Sequence, residues 1–206
     1  MIKLRDILIE DAVNMKDGTT LRASQRFWDE IKRDEGLPGT NGKPALKAYK
    51  LGDGRITIGW GHTGSMSGPT PKLGDKIDQA TAQKYLQADA NKSAECVRRI
   101  LNKWKQENNR AHEVTQSMFD ALVSIVFNAG CDGLRESEFI QLVKTRDWKD
   151  AAMMLPSDSS MIRGKFTKGL VARRKRESAR FLEDGVPLSK YFGKGERLLN
   201  MRSSKR

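Results

Sequence analysis

Apolar residues return at helical spacing through most of the chain, and one stretch breaks that rhythm. Between Leu21 and Asp34, Phe27 and Ile31 lie four apart on one face, which predicts a helix. Gly36 is suited to the left-handed conformation that ends helices, so Glu35 is expected at a helix C-terminus. Turn-forming residues then fill Pro38 to Pro44. Ala48-Tyr49-Lys50-Leu51 and Arg55 to Trp60 flank Gly52-Asp53-Gly54 and predict a β-hairpin. After a second loop, Gly64 to Gly74, the helical period resumes. Asp78 is a fair N-cap for a helix through Ala82, Tyr85, Leu86 and Ala90, and Val97, Ile100, Leu101 and Trp104 continue its stripe. Thr115 caps the next helix, with Met118, Phe119, Leu122, Ile125 and Val126 inward and Asn128-Ala129-Gly130 at its end. Phe139, Leu142 and Val143 mark another helix, Trp148 to Met153 one more. The last runs from near Gly169 to Phe181, with Leu170 and Phe181 inward and Arg173, Arg174, Lys175 and Arg176 mostly outward. The fold class is α+β: a helix, a small antiparallel sheet, then a mostly helical lobe.

The ends are weaker in pattern. Leu4, Ile7 and Leu8 predict a short amphipathic helix, Asp17 to Thr20 a turn, and residues 1–20 read as an N-terminal extension. Residues 187–206 read as a basic C-terminal tail, leaving 21–186 as one domain. No repeat, secretory leader or membrane span is expected: Ile7-Leu8-Ile9 is cut by Glu10-Asp11.

Charge narrows the partners. Lysine and arginine number 38 against 26 acidic residues, a formal net charge of +12, which calls for an anionic partner or serves solubility. Nucleic acid, anionic lipid and anionic cell-wall polymer are the candidates. No nucleic-acid-binding motif is present, so nucleic acid is not expected. Cys96 and Cys131 make no metal spacing, and His62 and His112 are isolated, so neither metal nor cofactor is implied. A single disulfide between the cysteines is possible, but in a chain folded in the cytosol two unpaired buried thiols are the expected state.

The candidate chemistry is a pair of carboxylates beside a hairpin. Glycosidic hydrolysis needs a carboxylic acid to protonate the leaving oxygen and a group opposite that positions water or stabilises the sugar cation. Glu35, Asp53 and Thr57 could form such a set, with Glu35 held neutral by its surroundings. Taken singly they are equally an exposed helix end, a turn former and a strand residue.

The order of three blocks decides between those readings. Glu35-Gly36-Leu37, Ala48-Tyr49 and Thr57-Ile58-Gly59-Trp60-Gly61-His62-Thr63 form the first, Phe119 to Gly130 the second, and Gly169-Leu170-Val171-Ala172-Arg173-Arg174-Lys175-Arg176-Glu177 the third. Together they resemble the phage-type lysozymes, the glycoside hydrolase 24 family of endolysins, over roughly Leu21 to Asp184. The resemblance implies a lysozyme-like fold and a muramidase that cuts bacterial peptidoglycan between N-acetylmuramic acid and N-acetylglucosamine for host-cell lysis. It implies Glu35 as general acid and Thr57 as a holder of the attacking water. The family's second carboxylate stands six residues before that threonine, where this chain has Leu51; Asp53 is the nearest substitute. If that role is empty, the scaffold could act as a lytic transglycosylase, or as a non-catalytic wall-binding protein. Tyr49, Trp60, Ser124 and Asn128 are the candidate substrate contacts, with a core position for Trp60 and a capping role for Asn128 as alternatives. His62 is expected to be a buried, hydrogen-bonded imidazole rather than a base. The basic C-terminal region, including Arg173 to Arg176, is either a solvated face or an attractor for anionic wall or outer-membrane lipopolysaccharide. A monomer, held in the host cytoplasm until a holin releases it to the wall, completes the expectation.

Overall fold

The computed structural model describes residues 14–37, 41–52, 54–157 and 168–185. The helix expected around Leu4 to Leu8, Asp53 in the hairpin turn and the tail from residue 187 lie outside them.

Two small sheets and six helices build the described molecule. Strand β1 (Lys16–Asp17) pairs antiparallel with β4 (Glu113–Val114), and the expected turn follows it, Thr20 N–H donating to Asp17 O at 3.1 Å. Lys105 Nζ donates to Asp17 Oδ2 at 2.7 Å, so β1 is bound to the body of the protein.

Helix α1 (Gln25–Glu35) starts where the Ser24 hydroxyl accepts from Phe27 N–H. Ser24 also donates its hydroxyl and N–H to buried Asp120, which ties the start of α1 to helix α3 (Gln116–Arg135). Phe27 and Ile31 turn into the core. The left-handed Gly36 expected at the other end is not found: its φ is −68° and ψ 159°, extended backbone. The glycine is there for space instead, because a Cβ on Gly36 would come within 2.3 Å of Gly42 Cα.

Strands β2 (Ala45–Lys50) and β3 (Ile56–Gly59) form the hairpin, with Tyr49 opposite Thr57 and a register shift between Ala45 and Tyr49. Leu51 N–H donates to Arg55 O and Gly54 N–H to Leu51 O, closing a tight turn. On the other side of β2, Ala48 N–H reaches Asp75 O and Ile77 N–H reaches Leu46 O, at 2.8 and 3.0 Å.

Helix α2 (Gln79–Asn108) is one unbroken rod from the hairpin to β4. Asp78 caps it as expected, accepting from Thr81 N–H at 2.7 Å. Ala82, Leu86, Ala90, Val97, Leu101 and Trp104 form its buried stripe. Thr115 caps α3, whose Met118, Phe119, Leu122, Ile125 and Val126 are fully buried at the centre of the core. The helix does not stop at Gly130 but breaks there (φ 82°, ψ 167°) and resumes to Arg135. Helices α4 (Glu138–Thr145), α5 (Trp148–Met154) and α6 (Lys168–Phe181) complete the lobe, and Phe139, Trp148 and Phe181 pack ring against ring.

Two further expectations are overturned. Cys96 on α2 and Cys131, just past the α3 break, form a disulfide with Cα atoms 6.0 Å apart, within bridging distance once the two helices pack. Arg173 and Arg174 point inward from α6, 7% and 0% exposed, rather than out to water. Their positions continue the Leu170-to-Phe181 stripe at helical spacing, and paired carboxylates make burial tolerable.

Candidate active site

The C-terminal end of α1, the hairpin, the α3 break and α6 enclose a cleft of about 980 Å³. Glu35, Arg55, Gly61, Phe127, Asn128 and Arg173 are among its walls. Glu35 arrives there because Phe27 and Ile31 fix the rotation of α1, and Gly36 lets the chain pass close against Gly42 as it leaves the helix. Its side chain is 19% exposed. Gly61, at φ 85°, brings backbone close to the acid: a Cβ there would lie 3.3 Å from Glu35 Oε2.

One charged partner dominates the acid: an ion pair with Arg173 stands where surroundings that hold it neutral were expected. Arg173 donates through Nη1 to Glu35 Oε1 and through Nε to Glu177 Oε1, the latter at 3.1 Å. The Ser124 hydroxyl donates to the same Glu177 oxygen at 2.6 Å. Burial pulls the Arg173 guanidinium down, but the charges of Glu35 and Glu177 outweigh it and hold the guanidinium firmly protonated. Tyr49, half-exposed on β2, has its phenol pushed up by burial and then by the charge of Glu35, which places the two side chains within electrostatic reach.

Thr57 is 1% exposed and its hydroxyl donates to the His62 carbonyl at 3.1 Å; it braces the hairpin and is not a wall of the cleft. Leu51 is part of the hairpin turn, with its N–H on Arg55 O. Trp60 offers no stacking platform: it is 4% exposed, and its indole N–H donates to Gly42 O at 2.7 Å. Its core alternative is the one realised. Ser124 faces a neighbouring cavity of about 460 Å³ rather than the cleft. Asn128 does line the cleft, with its side-chain oxygen accepting from Arg174 Nη2 at 2.8 Å.

His62 is buried as expected, with Nδ1 on Asp89 Oδ2 at 2.9 Å and Nε2 on the Pro69 carbonyl at 3.0 Å. Both partners are acceptors, an arrangement that favours the doubly protonated ring. Asp89 also takes the Ser67 hydroxyl at 2.5 Å, and the imidazole stacks on Tyr85. Among the described residues no group of three or more histidine, cysteine or acidic side chains could hold a metal ion.

The sequence reading missed Arg173, Arg174 and Glu177 as site residues, and Phe127 and Gly61 as cleft walls. The three charged positions carried a usable signal: spacings of three and four along α6, in register with Leu170 and Phe181.

Comparison with known proteins agrees with this architecture. A family model described as phage lysozyme matches residues 41–177. An endolysin of Acyrthosiphon pisum secondary endosymbiont phage 1 is 32% identical over 154 residues, 73% of this chain and 91% of that protein. The solved endolysin from Escherichia coli O157:H7 phage FAHEc1 superposes with a TM-score of 0.61 at 28% identity, covering 82% of this chain and 98% of that one. The muramidase domain of SpmX from Asticaccaulis excentricus gives 0.60 at 27% identity, over 78% and 97%. The chain belongs to the phage lysozyme family and is a glycoside hydrolase of the lysozyme type.

Proposed function

We propose that this hydrolase cuts peptidoglycan at the N-acetylmuramic acid–N-acetylglucosamine bond, with Glu35 as the proton donor. The observation that carries the reading is a carboxyl group at a helix end, partly open to a 980 Å³ cleft and met from the far wall by a buried arginine. A saccharide lying across that cleft brings a glycosidic oxygen to Glu35, which gives it a proton as the bond to C1 breaks. Water then attacks C1 from the opposite face; Asp53 is the proposed holder of that water, and Thr57 braces the hairpin that carries it. Asn128 and Tyr49 are the proposed sugar contacts. The protein acts as a monomer, needs no cofactor, and reaches the wall from the host cytoplasm after a holin opens the membrane. Attraction to anionic lipopolysaccharide falls to Lys175, Arg176 and the basic tail, since Arg173 and Arg174 are engaged internally.

The competing reading is a lytic transglycosylase, in which the sugar's own hydroxyl closes onto C1. Leu51, in the position of the family's second carboxylate, favours it. Mass spectrometry of muropeptides released from purified walls separates the two. Hydrolysis yields reducing ends and transglycosylation yields anhydro sugars. Glu35→Gln is expected to lower release by about a hundredfold or more, and a variant that cleared walls at the parental rate would remove the assignment. Asp53→Asn is expected to lose activity only if that carboxylate serves the water.

A further inference from the structure

Glu177 is 5% exposed and receives three donors. Arg173 Nε and the Ser124 hydroxyl share its Oε1, and Arg174 Nη1 donates to Oε2. The two arginines then diverge: Arg173 goes on to Glu35, Arg174 to Asn128 Oδ1. Arginine has no acceptor, so the Asn128 oxygen must face it and the amide N–H groups are left for the cleft. Arg174 Nε is buried without a partner, so this arginine is kept for its two Nη contacts. We infer that Glu177 is a positioning residue for the reaction, one buried carboxylate that divides its charge between two arginines and thereby sets the partner of Glu35 and the orientation of Asn128. The inference rests on Glu35 being the proton donor.

The electrostatics give it a signed test. Arg173 faces two carboxylates, and each limits how much of its charge the other feels. Other charges near Glu35 are placed differently. Asp34, beside it on α1, pairs with Arg176 at 3.0 Å, and Asp89 from α2 is taken by His62 and Ser67. Arg33 and Arg55 line the cleft, and Tyr49 from β2 is a neutral phenol. Removing the Glu177 charge leaves Arg173 to Glu35 alone, which favours the ionised acid. Removing Arg174 gives Glu177 wholly to Arg173 and does the opposite.

The experiment is the pH–rate profile of wall hydrolysis for the parent, Glu177→Gln, Arg174→Met and Glu35→Gln, each checked for folding by circular dichroism. In Glu177→Gln the alkaline limb is expected to move down by about one pH unit, with roughly a tenfold lower rate above it. Arg174→Met is expected to move the limb upward, and Glu177→Asp to return it toward the parental position. If Glu177→Gln does not fold, the upward shift in Arg174→Met decides alone. Folded variants with the parental limb would overturn the inference while leaving the proton donor in place. An active Glu35→Gln would instead overturn the reading beneath it.

Discussion

Gly61 and the two histidines show how single residues set the terms of this site. A side chain on Gly61 meets two penalties, a φ of 85° and a Cβ 3.3 Å from the acid's Oε2. Gly61→Ala is therefore expected to cost about 1–2 kcal/mol of stability. It should also cost at least about tenfold in wall clearing by displacing Glu35; equal losses in melting temperature with undiminished turnover would contradict this. The histidines act on stability with opposite signs. For His62, burial works against the proton, but the Asp89 hydrogen bond and charge, helped by the Pro69 carbonyl, hold its pKa above 6.5. Its contribution is thus complete below pH 6.5 and is lost as pH rises through the raised value. For His112, burial first, then the charges of Arg146 and Lys144, push the imidazole down to about 4 from 6.5. The unfolded chain takes up that proton below pH 6.5 and the folded one does not until about pH 4, so stability falls across that interval. Urea titrations between pH 4 and 8 should show His62→Gln closing its gap to the parent on the alkaline side, and His112→Gln flattening the acid decline. Burial of His62 was foreseeable from the sequence. Its pairing with Asp89 was not, because 27 residues and a loop separate them.

Elements were legible where the cause is local. Asp78 and Thr115 cap the helices assigned to them because a short oxygen-bearing side chain meets the first turn within three residues. The hairpin was legible for the same reason, since its glycine-rich turn and alternating strand lie in one stretch. The inner face of α6 was not. A run of basic residues looks solvated until Glu35 and Glu177 are known to sit beside it, and Glu35 is 138 residues away. The disulfide was illegible for a related reason: redox compartment argues for free thiols, whereas the packing of α2 on α3 decides whether the sulfurs meet. The bridge fastens the segment after the α3 break, next to Phe127, Asn128 and Gly130 in the cleft wall. Replacing both cysteines by serine is expected to lower unfolding free energy by about 2–4 kcal/mol for a loop of this length, measured by urea denaturation. An unchanged midpoint would mean the bridge adds nothing to the folded chain.

For the molecule as a whole, a net charge of +12 acts at a distance and on kinetics. Clearing of anionic walls should slow as salt is raised past about 0.1 M, where the screening length is about 10 Å. Hydrolysis of a short neutral chito-oligosaccharide should be nearly indifferent to salt; parallel slowing of both would place the effect in the site rather than in approach to the wall. The order of the helices and the hairpin was readable from the pattern along the chain, whereas the short strands β1 and β4 were not. The pairing of β1 with β4 has a practical corollary. The stretch ahead of α1 is buckled across the linker between the two longest helices, so trimming the protein back to the residues shared with its relatives' common model, which begin at 41, would discard the buckle together with α1. Truncation that removes Lys16 and Asp17 is expected to lower stability, and any tag or fusion partner is best joined ahead of them.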